Sequence, residues 1–397
     1  MSSALTVYTA VLRAPGVLAP ALGAAIASVP IGMLGLSVLL LVQQRTGMFA
    51  AAGVVVAVLG LGTVTGMLLQ GRLIDRWGAR WVLAVAAAVR VLATAALVVV
   101  ANGASPVWAL ASVAAVVGLS EPQVSGALRA CWPVLVGPVL RPAATALSSV
   151  LFEVPVLSGP LLVALVTSVW SIEVALCAAA VFAAVGACVF AASPVAGRRP
   201  RHAPRAAVRS EPLSSPGVRL VVLVTAVQGL VTGVLQVTTA ATATTAGTPE
   251  SSGVLFAVLT AGSLVGTTLY GARTRGGAAR WSLPLLLSGL AGSLAAAAFV
   301  SELVPFAVCL VVFGLASGPL GVRCFVDLER HAPAGAPAAA VTVLVAAGLA
   351  ATSAGSALAG WALDRAGTVA PLLAGAGSAA LAAVVVGVRA VRPGRCG

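Results

Sequence analysis

Residues 49–101 read FAAAGVVVAVLGLGTVTGMLLQ, then GRLIDRWGAR, then WVLAVAAAVRVLATAALVVVA. Two apolar runs, at 49–70 and 81–101, flank a short charged link. Each run reaches the length of about 20 residues that a helix needs to cross the hydrocarbon core of a bilayer. Because no backbone polar group can stay unpaired in hydrocarbon, such a run is predicted to be helical. The stretch therefore predicts two membrane helices joined by a charged turn.

The same alternation continues in both directions along the chain. Of its 397 residues, 60% are hydrophobic and 8% are charged, whereas soluble domains carry about 25% charged residues. We predict an all-α integral membrane protein with twelve spanning helices. Their ranges are 17–42, 49–70, 81–101, 106–127, 143–167, 171–192, 218–240, 253–271, 281–300, 305–324, 337–361 and 368–388. The first run is too long for the apolar part of a signal peptide.

The positive charges follow this helix pattern. The chain has 23 basic residues and a net charge of +13, and every one of the basic residues is an arginine. If the N-terminus is cytoplasmic, Arg45 and Arg365 fall outside, Arg90 falls within a helix, and all the others lie on the cytoplasmic side. This bias predicts a multi-pass protein of a bacterial inner membrane with both termini in the cytoplasm. Topology thus accounts for the basic charge, and no nucleic-acid partner is expected.

A single polar stretch divides the helices into two sets of six. Residues 193–217 are rich in proline, arginine and serine, which is typical of a flexible tether. We therefore predict an N-terminal bundle at 1–192, a cytoplasmic linker at 193–217 and a C-terminal bundle at 218–397. Two sets of equal size suggest an internal repeat.

The charged link after the second helix has a distinctive spacing. Its key residues are Gly71, Asp75, Arg76, Gly78 and Arg80. This pattern, G-x-x-x-D-R-x-G-x-R, resembles the signature of the major facilitator superfamily, and it lies at the same place in the helix order. The resemblance implies two pseudo-symmetric six-helix bundles. It implies that they rock so that a substrate site opens to one side of the membrane at a time. It also implies that these five residues gate the cytoplasmic side.

Two further stretches are similar to this family. Residues 355–367, at the end of the eleventh helix, match its pattern, whereas 271–280 keeps the arginines of the charged link but no acid. Gly159-Pro160 resembles the centre of a glycine-rich motif in bacterial drug and metabolite efflux members. Other glycines of that motif are replaced by Pro155, Val163 and Ala164. A simple proline kink is the alternative explanation for the Gly-Pro pair.

Three ionisable residues fall inside predicted helices: Arg90, Glu121 and Glu153. Charged groups in a membrane are costly and are functional candidates by default. Burial disfavours an ionised carboxyl and a neighbouring arginine favours it, so a small change can switch its protonation. We predict that Glu153, Glu121 or both bind a coupling proton, with Arg90 as electrostatic partner. The alternative is a static Arg90–Glu121 ion pair that only fixes two helices.

The seventh helix carries a polar face. Residues at spacings of three and four share one side of a helix; here they are Thr225, Gln228, Thr232, Gln236 and Thr239. The family resemblance implies that this helix lines the central cavity, so we predict substrate contacts for these residues. Gln123 and Ser149 are added from the fourth and fifth helices. The alternative is hydrogen bonding between helices, which is common for glutamine and threonine in membranes.

These features favour a secondary active transporter over an enzyme. No cluster of His, Asp or Cys suggests catalysis or a metal site, and a chain without lysine cannot contain a phosphate-binding P-loop. We predict proton-coupled efflux of a small lipophilic or weakly polar compound. The alternative is a proton-coupled or facilitative importer of a sugar or an amino acid. No cofactor is expected beyond the proton gradient, and the expected partners are the substrate and the lipid bilayer, with the chain acting as a monomer.

Overall fold

The computed structural model of the chain describes residues 2–103, 105–197, 213, 215–273, 282–332 and 337–391. Side chains are described for these residues except 2–7, 153, 271–273, 282, 337–339 and 389–391. Within this part of the chain the secondary structure is helical, without a strand. All twelve predicted segments are helical, so the predicted fold class is confirmed.

Fourteen α-helices make up the described structure. In chain order they are α1 (Ser2–Arg13), α2 (Leu18–Thr46), α3 (Phe49–Trp77), α4 (Ala79–Asn102), α5 (Val107–Leu119), α6 (Val124–Leu135), α7 (Arg141–Val169), α8 (Ile172–Ala192), α9 (Pro216–Thr245), α10 (Ser251–Arg273), α11 (Ser282–Ala297), α12 (Leu303–His331), α13 (Pro337–Ala366) and α14 (Val369–Val391). Within the described ranges, eleven spans are long and apolar enough to cross a membrane, with α5 and α6 forming one of them, Val107–Leu135. The apolar helix at Leu283–Ala298 is shorter and occupies the ninth predicted position.

The structure differs from the predicted ranges in three places. Helix α1 was not predicted, because its residues lack a long apolar run. Helix α3 continues through most of the charged link and ends at Trp77, just before Gly78, whose φ of 86° favours glycine. The fourth predicted segment, 106–127, is two helices with a break at Ser120–Gln123, and the second of them continues to Leu135. Pro122 contributes to that break because it has no N–H to donate.

The chain forms two compact units. The first contains Met1–Leu41 and Leu61–Ala203, and the second contains Val42–Gly60 and Pro204–Gly397. Helix α3 therefore begins in the second unit and ends in the first. The predicted linker, 193–217, lies largely outside the described residues, and the predicted bundle boundaries stay a prediction.

Each unit has its own buried core. In the first unit α2, α4, α6 and α8 contribute, with Leu83, Leu128 and Phe190 at most 1% exposed. In the second unit α9, α11, α12 and α13 contribute, with Leu290 and Phe313 likewise buried. Aliphatic and aromatic side chains thus fill both interiors, while many large apolar residues remain exposed on the outside, as expected for a surface that faces lipid.

Small residues bring helices close together in both units. In the first unit a Cβ on Gly62 or Gly66 of α3 would collide with the carbonyl of Ala115 or Leu119 of α5. In the second unit the corresponding pairs join α10 to α12; they are Gly262 with Val311 and Gly266 with Leu315. Because lipid provides no hydrophobic force between helices, such backbone contact is a main source of helix association. The repeated spacing indicates that the two units share an internal repeat.

Candidate functional site

A break in the fourth membrane span lies at the centre of the first unit. Between α5 and α6 the chain leaves helical geometry at Ser120–Gln123, and Ser120 and Glu121 are 5% and 4% exposed. Helical hydrogen bonds to the carbonyls of Val117, Leu119 and Glu121 are lost there. Inside a membrane, non-helical backbone is tolerated only where protein or a cavity surrounds it. Such broken helices often form the binding sites of transporters.

Side chains from two neighbouring helices replace the lost bonds. Gln70 of α3 donates from Nε2 to the carbonyl oxygens of Leu119 at 3.0 Å and of Glu121 at 2.9 Å. Its Oε1 accepts from the backbone N–H of Gln123 at 3.2 Å. Arg90 of α4 donates from Nη1 to the carbonyl of Val117 at 2.7 Å. The backbone of the break is therefore satisfied without a helical ladder.

Arg90 and Glu121 form a buried ion pair at this break. Arg90 Nη1 lies 2.6 Å from Glu121 Oε2, and the two side chains are 0% and 5% exposed. Nε and Nη2 of Arg90, Oε1 of Glu121 and the hydroxyl of Thr94 on the same face of α4 have no hydrogen-bond partner among the described residues. The structure thus brings together two of the three ionisable residues predicted from the sequence. Part of their hydrogen-bonding capacity is left for water or for a transported species.

The third ionisable residue, Glu153, belongs to α7, but its side chain lies outside the described residues. Ser149 is half-buried on the same helix. The neighbouring Ser148 is buried and accepts a hydrogen bond from Trp132 Nε1. Gln123, the other predicted substrate contact in this unit, donates from Nε2 to the Glu121 carbonyl at 3.1 Å. Gln123 therefore belongs to the helix break itself.

The predicted gating residues lie at the junction of α3 and α4. Gly71, Asp75 and Arg76 are exposed on the last turns of α3, and Gly78 forms the turn into α4. Arg80 donates from Nε to the carbonyl of Ala191 at 2.9 Å and from Nη2 to that of Ser193 at 3.3 Å. An arginine at the carbonyl end of a helix satisfies its unpaired acceptors. Within the first unit, Arg80 therefore joins the start of α4 to the end of α8.

The polar face of α9 belongs to the second unit, where its residues differ in surroundings. Gln228 donates from Nε2 to the carbonyl of Ser317 in α12 at 2.8 Å, and Thr232 donates to the carbonyl of Gln228. Thr225 lies beside the thiol of Cys324. Thr239 is fully buried and its hydroxyl has no partner in the described part of the chain. Gln228 thus makes a helix–helix bond, which was the alternative explanation for this face.

Buried charge is otherwise rare in the described residues. Apart from Arg90 and Glu121, the only buried charged residue among the side chains that the structure describes is Asp327. It lies near the end of α12 and pairs with Arg323, Nε to Oδ2, at 2.8 Å. In the described ranges no group of three or more His, Cys, Asp or Glu residues could hold a metal ion.

Gln70 is the residue of this site that the sequence analysis missed. As the last residue of an apolar run it was read as the end of a membrane helix. A signal was present, because Gln70 follows Gly62 and Gly66 at successive spacings of four and so shares their helix face. A glutamine on a face of small residues indicates close contact with a neighbouring helix.

Comparison with known proteins agrees with this architecture. Among solved structures, the nucleoside transporter NupG is 14% identical over 96% of this chain and all of its own, with a TM-score of 0.71. The POT family transporter PepTSo is 13% identical over 96% and 98% of the two chains, with a TM-score of 0.73. The human organic anion transporter MFSD10 (TETRAN) is 17% identical over 94% and 99%, with a TM-score of 0.65. Identities this low show a shared fold alone.

No curated protein sequence is significantly similar to the chain. The family model described as Major Facilitator Superfamily matches residues 20–321. This range covers most of the chain, including the charged link at the end of α3, the broken fourth span and the polar face of α9. With the helical plan and the structural neighbours above, the match establishes that the chain belongs to the major facilitator superfamily of membrane transporters.

Proposed function

We propose that the protein exports a small lipophilic or weakly polar compound in exchange for protons, by alternating access in a bacterial inner membrane. The observation that carries this proposal is the Arg90–Glu121 pair, which is fully buried at a break in a membrane helix. A buried ion pair gives little net stability, because its desolvation cost can exceed its electrostatic gain. Its presence in a membrane span therefore favours a role in transport.

The pair has the chemistry that proton coupling requires. When Glu121 is ionised, its carboxylate is held by the guanidinium of Arg90. When Glu121 takes up a proton, the attraction falls and Arg90 is left to interact with another acceptor. Protonation thus alters the contact between α4 and the broken span, which is a way to bias two conformations. Glu153 remains the second candidate for the coupling proton.

The residues predicted to contact the substrate support an uncharged substrate. The predicted substrate contacts are neutral residues: Thr225, Gln228, Thr232, Gln236 and Thr239 of α9, with Gln123 and Ser149. Asp327, the buried acid described in the second unit, is already paired with Arg323. A charged substrate would therefore find few free partners beyond Arg90 and Glu121. Import of a sugar or an amino acid is the alternative, which differs in the direction of flux.

The test is flux through the purified protein in liposomes with an imposed proton gradient. Dyes, antibiotics, sugars and amino acids serve as the substrate panel, with and without a protonophore. We expect a gradient to drive a lipophilic compound against the proton flow, and we expect Glu121→Gln to abolish this coupling. Glu250→Gln, an exposed carboxyl between α9 and α10, is the matched control and should transport like the unaltered protein.

Three other outcomes would change the proposal. Movement of a sugar or an amino acid in the same direction as protons would replace efflux by import. Flux that ignores the gradient would reject proton coupling altogether. Coupled flux that survives in Glu121→Gln but not in Glu153→Gln would move the proton site to α7.

A further inference from the structure

We infer that Gln70 is a positioning residue of the coupling site, because its amide bridges the break in the fourth membrane span and so holds Glu121 against Arg90. This inference rests on the proposed role of Glu121 in coupling. Gln70 itself does not touch the carboxyl group of Glu121. It bonds the backbone on both sides of Pro122, and thereby sets the direction in which Glu121 leaves the chain.

Both the nitrogen and the oxygen of the Gln70 side-chain amide form hydrogen bonds. The Nε2 group donates to the carbonyls of Leu119 and Glu121, and Oε1 accepts from the N–H of Gln123. Gln70 is 5% exposed, so water cannot easily replace these bonds, and an unsatisfied backbone group in the membrane is costly. Aspartate and asparagine are too short for this reach, and glutamate has no donor when it is ionised.

The position of Gln70 is fixed by the helix that carries it. Gly62 and Gly66 precede it on the same face of α3, and both approach the backbone of α5 so closely that a Cβ would collide. This contact packs α3 against the broken span, and it places Gln70, the next residue on the same face, beside the break. Gln70 is therefore held level with the backbone around Pro122.

Proline alone does not explain the break. Helix α2 continues through Pro30, α7 through Pro155 and Pro160, and α12 through Pro319. Helix α12 even receives a glutamine amide at a similar place, from Gln228 to the carbonyl of Ser317, yet it remains continuous. What distinguishes Pro122 is the buried amide of Gln70, which donates to the carbonyl of Leu119 before the break and to that of Glu121 within it, and also accepts from the N–H of Gln123.

Few charged groups surround Glu121. From α4 it faces Arg90, and from α3 it faces the neutral Gln70. In the described part of the first unit, no other charged residue is buried. Loss of the Gln70 bridge should therefore act on Glu121 chiefly through its distance from Arg90. Because that distance sets the attraction between the two groups, the pH profile of coupled flux should differ from that of the unaltered protein.

The decisive variant is Gln70→Met, which keeps the length of the side chain and removes its hydrogen bonds. We expect coupled flux to fall about tenfold, within the range by which residues that do not touch a ligand modulate coupling, and we expect its pH profile to shift. In the Glu121→Gln background, where coupling is already lost, Gln70→Met should leave the remaining gradient-independent flux unchanged, because two residues that act through one group are not additive. Gln44→Met, on an exposed site of α2, is the matched control.

Two results would overturn the inference. One is an unchanged pH profile in Gln70→Met, which together with reduced flux would indicate a structural role alone. The other is a loss of gradient-independent flux when Gln70→Met is added to Glu121→Gln. If Gln70→Met does not fold, Gln70→Leu serves instead, because it also removes the hydrogen bonds of the amide and places no new charge beside Glu121. The same change of the pH profile is expected, and its absence would likewise reject the inference.

A measurement that does not use transport separates this inference from the proposed function. Hydrogen exchange should accelerate at residues 117–127 in Gln70→Met and stay unchanged there in Gln44→Met, because the Gln123 N–H loses its acceptor. If the unaltered protein shows no proton-coupled flux, the proposed function fails. If exchange at the break is the same in Gln70→Met as in the unaltered protein, the positioning role of Gln70 fails.

Discussion

At the residue scale, the most unusual feature is a pair of charges with no access to solvent. Arg90 is 0% exposed, and its Nη1 serves both the carboxylate of Glu121 and the carbonyl of Val117. Two of its other nitrogen groups have no described partner. Hydrogen-bond donors without a partner are costly in a low-dielectric interior. The site therefore keeps unpaired donors at an energetic cost, which is typical of functional residues in a membrane.

The pair makes a prediction about stability. Arg90→Met should lower the free energy of unfolding by about 3–5 kcal/mol, because it leaves Glu121 buried without a partner. Adding Glu121→Met should restore most of the loss, since no buried charge then remains. Denaturant unfolding in mild detergent measures both effects. A double variant no more stable than Arg90→Met would show that the loss comes from packing and not from the unpaired charge.

At the element scale, most of the pattern predicted to gate the cytoplasmic side occurs twice, each time at the end of a helix. The pattern G-x-x-x-D-R-x-G spans Gly71–Gly78 at the end of α3 and Gly360–Gly367 at the end of α13. Both copies end at a glycine with positive φ, 86° at Gly78 and 69° at Gly367. The common part of the motif therefore closes a helix with glycine in the left-handed region.

The second copy also binds the start of another helix. Within the second unit, Asp364 accepts hydrogen bonds from the first N–H groups of α3, at 3.1 Å from Phe49 and 2.8 Å from Ala50. These N–H groups have no partner inside their own helix, and a carboxylate is favoured at the positive end of the helix dipole. Gly53 and Gly360 bring α3 and α13 into backbone contact beside this cap.

We expect Asp364→Ala to destabilise the protein by about 1 kcal/mol, as for the loss of other helix caps. Asp364→Asn should lose less, because its side-chain oxygen still accepts one hydrogen bond. Thermal unfolding in detergent measures the difference, with Glu250→Ala as an exposed acid that caps nothing described. Equal melting temperatures for Asp364→Ala and the control would show that the cap contributes no stability.

At the scale of the whole molecule, the distribution of arginine predicts which loops face the cytoplasm. That sidedness can be tested with single cysteines in a background from which the native six have been removed. Glu250→Cys, between α9 and α10, should react with an impermeant maleimide in intact cells. Arg219→Cys, an exposed residue at the start of α9, should react only after the cells are permeabilised. The reverse pattern would invert the predicted topology.

The sequence by itself determined the helical membrane fold and the family. Apolar runs of sufficient length must become helices in hydrocarbon, because every backbone group has to be paired within the segment. The twelve segments could therefore be counted from composition. The spacing of Gly71, Asp75 and Gly78 added the resemblance that the family match later established.

Only the tertiary structure decided which residues meet. Arg90 and Glu121 stand far apart in the chain, and their contact depends on the packing of α4 against α5. The break at Pro122 was missed because other prolines leave their helices intact, and what completes the break is an amide from α3. Likewise, the sequence gives no sign that Asp364 accepts hydrogen bonds from the start of α3. Helix formation in a membrane is a local requirement of each segment, whereas hydrogen bonds between helices depend on rotation and register, which a single segment does not encode.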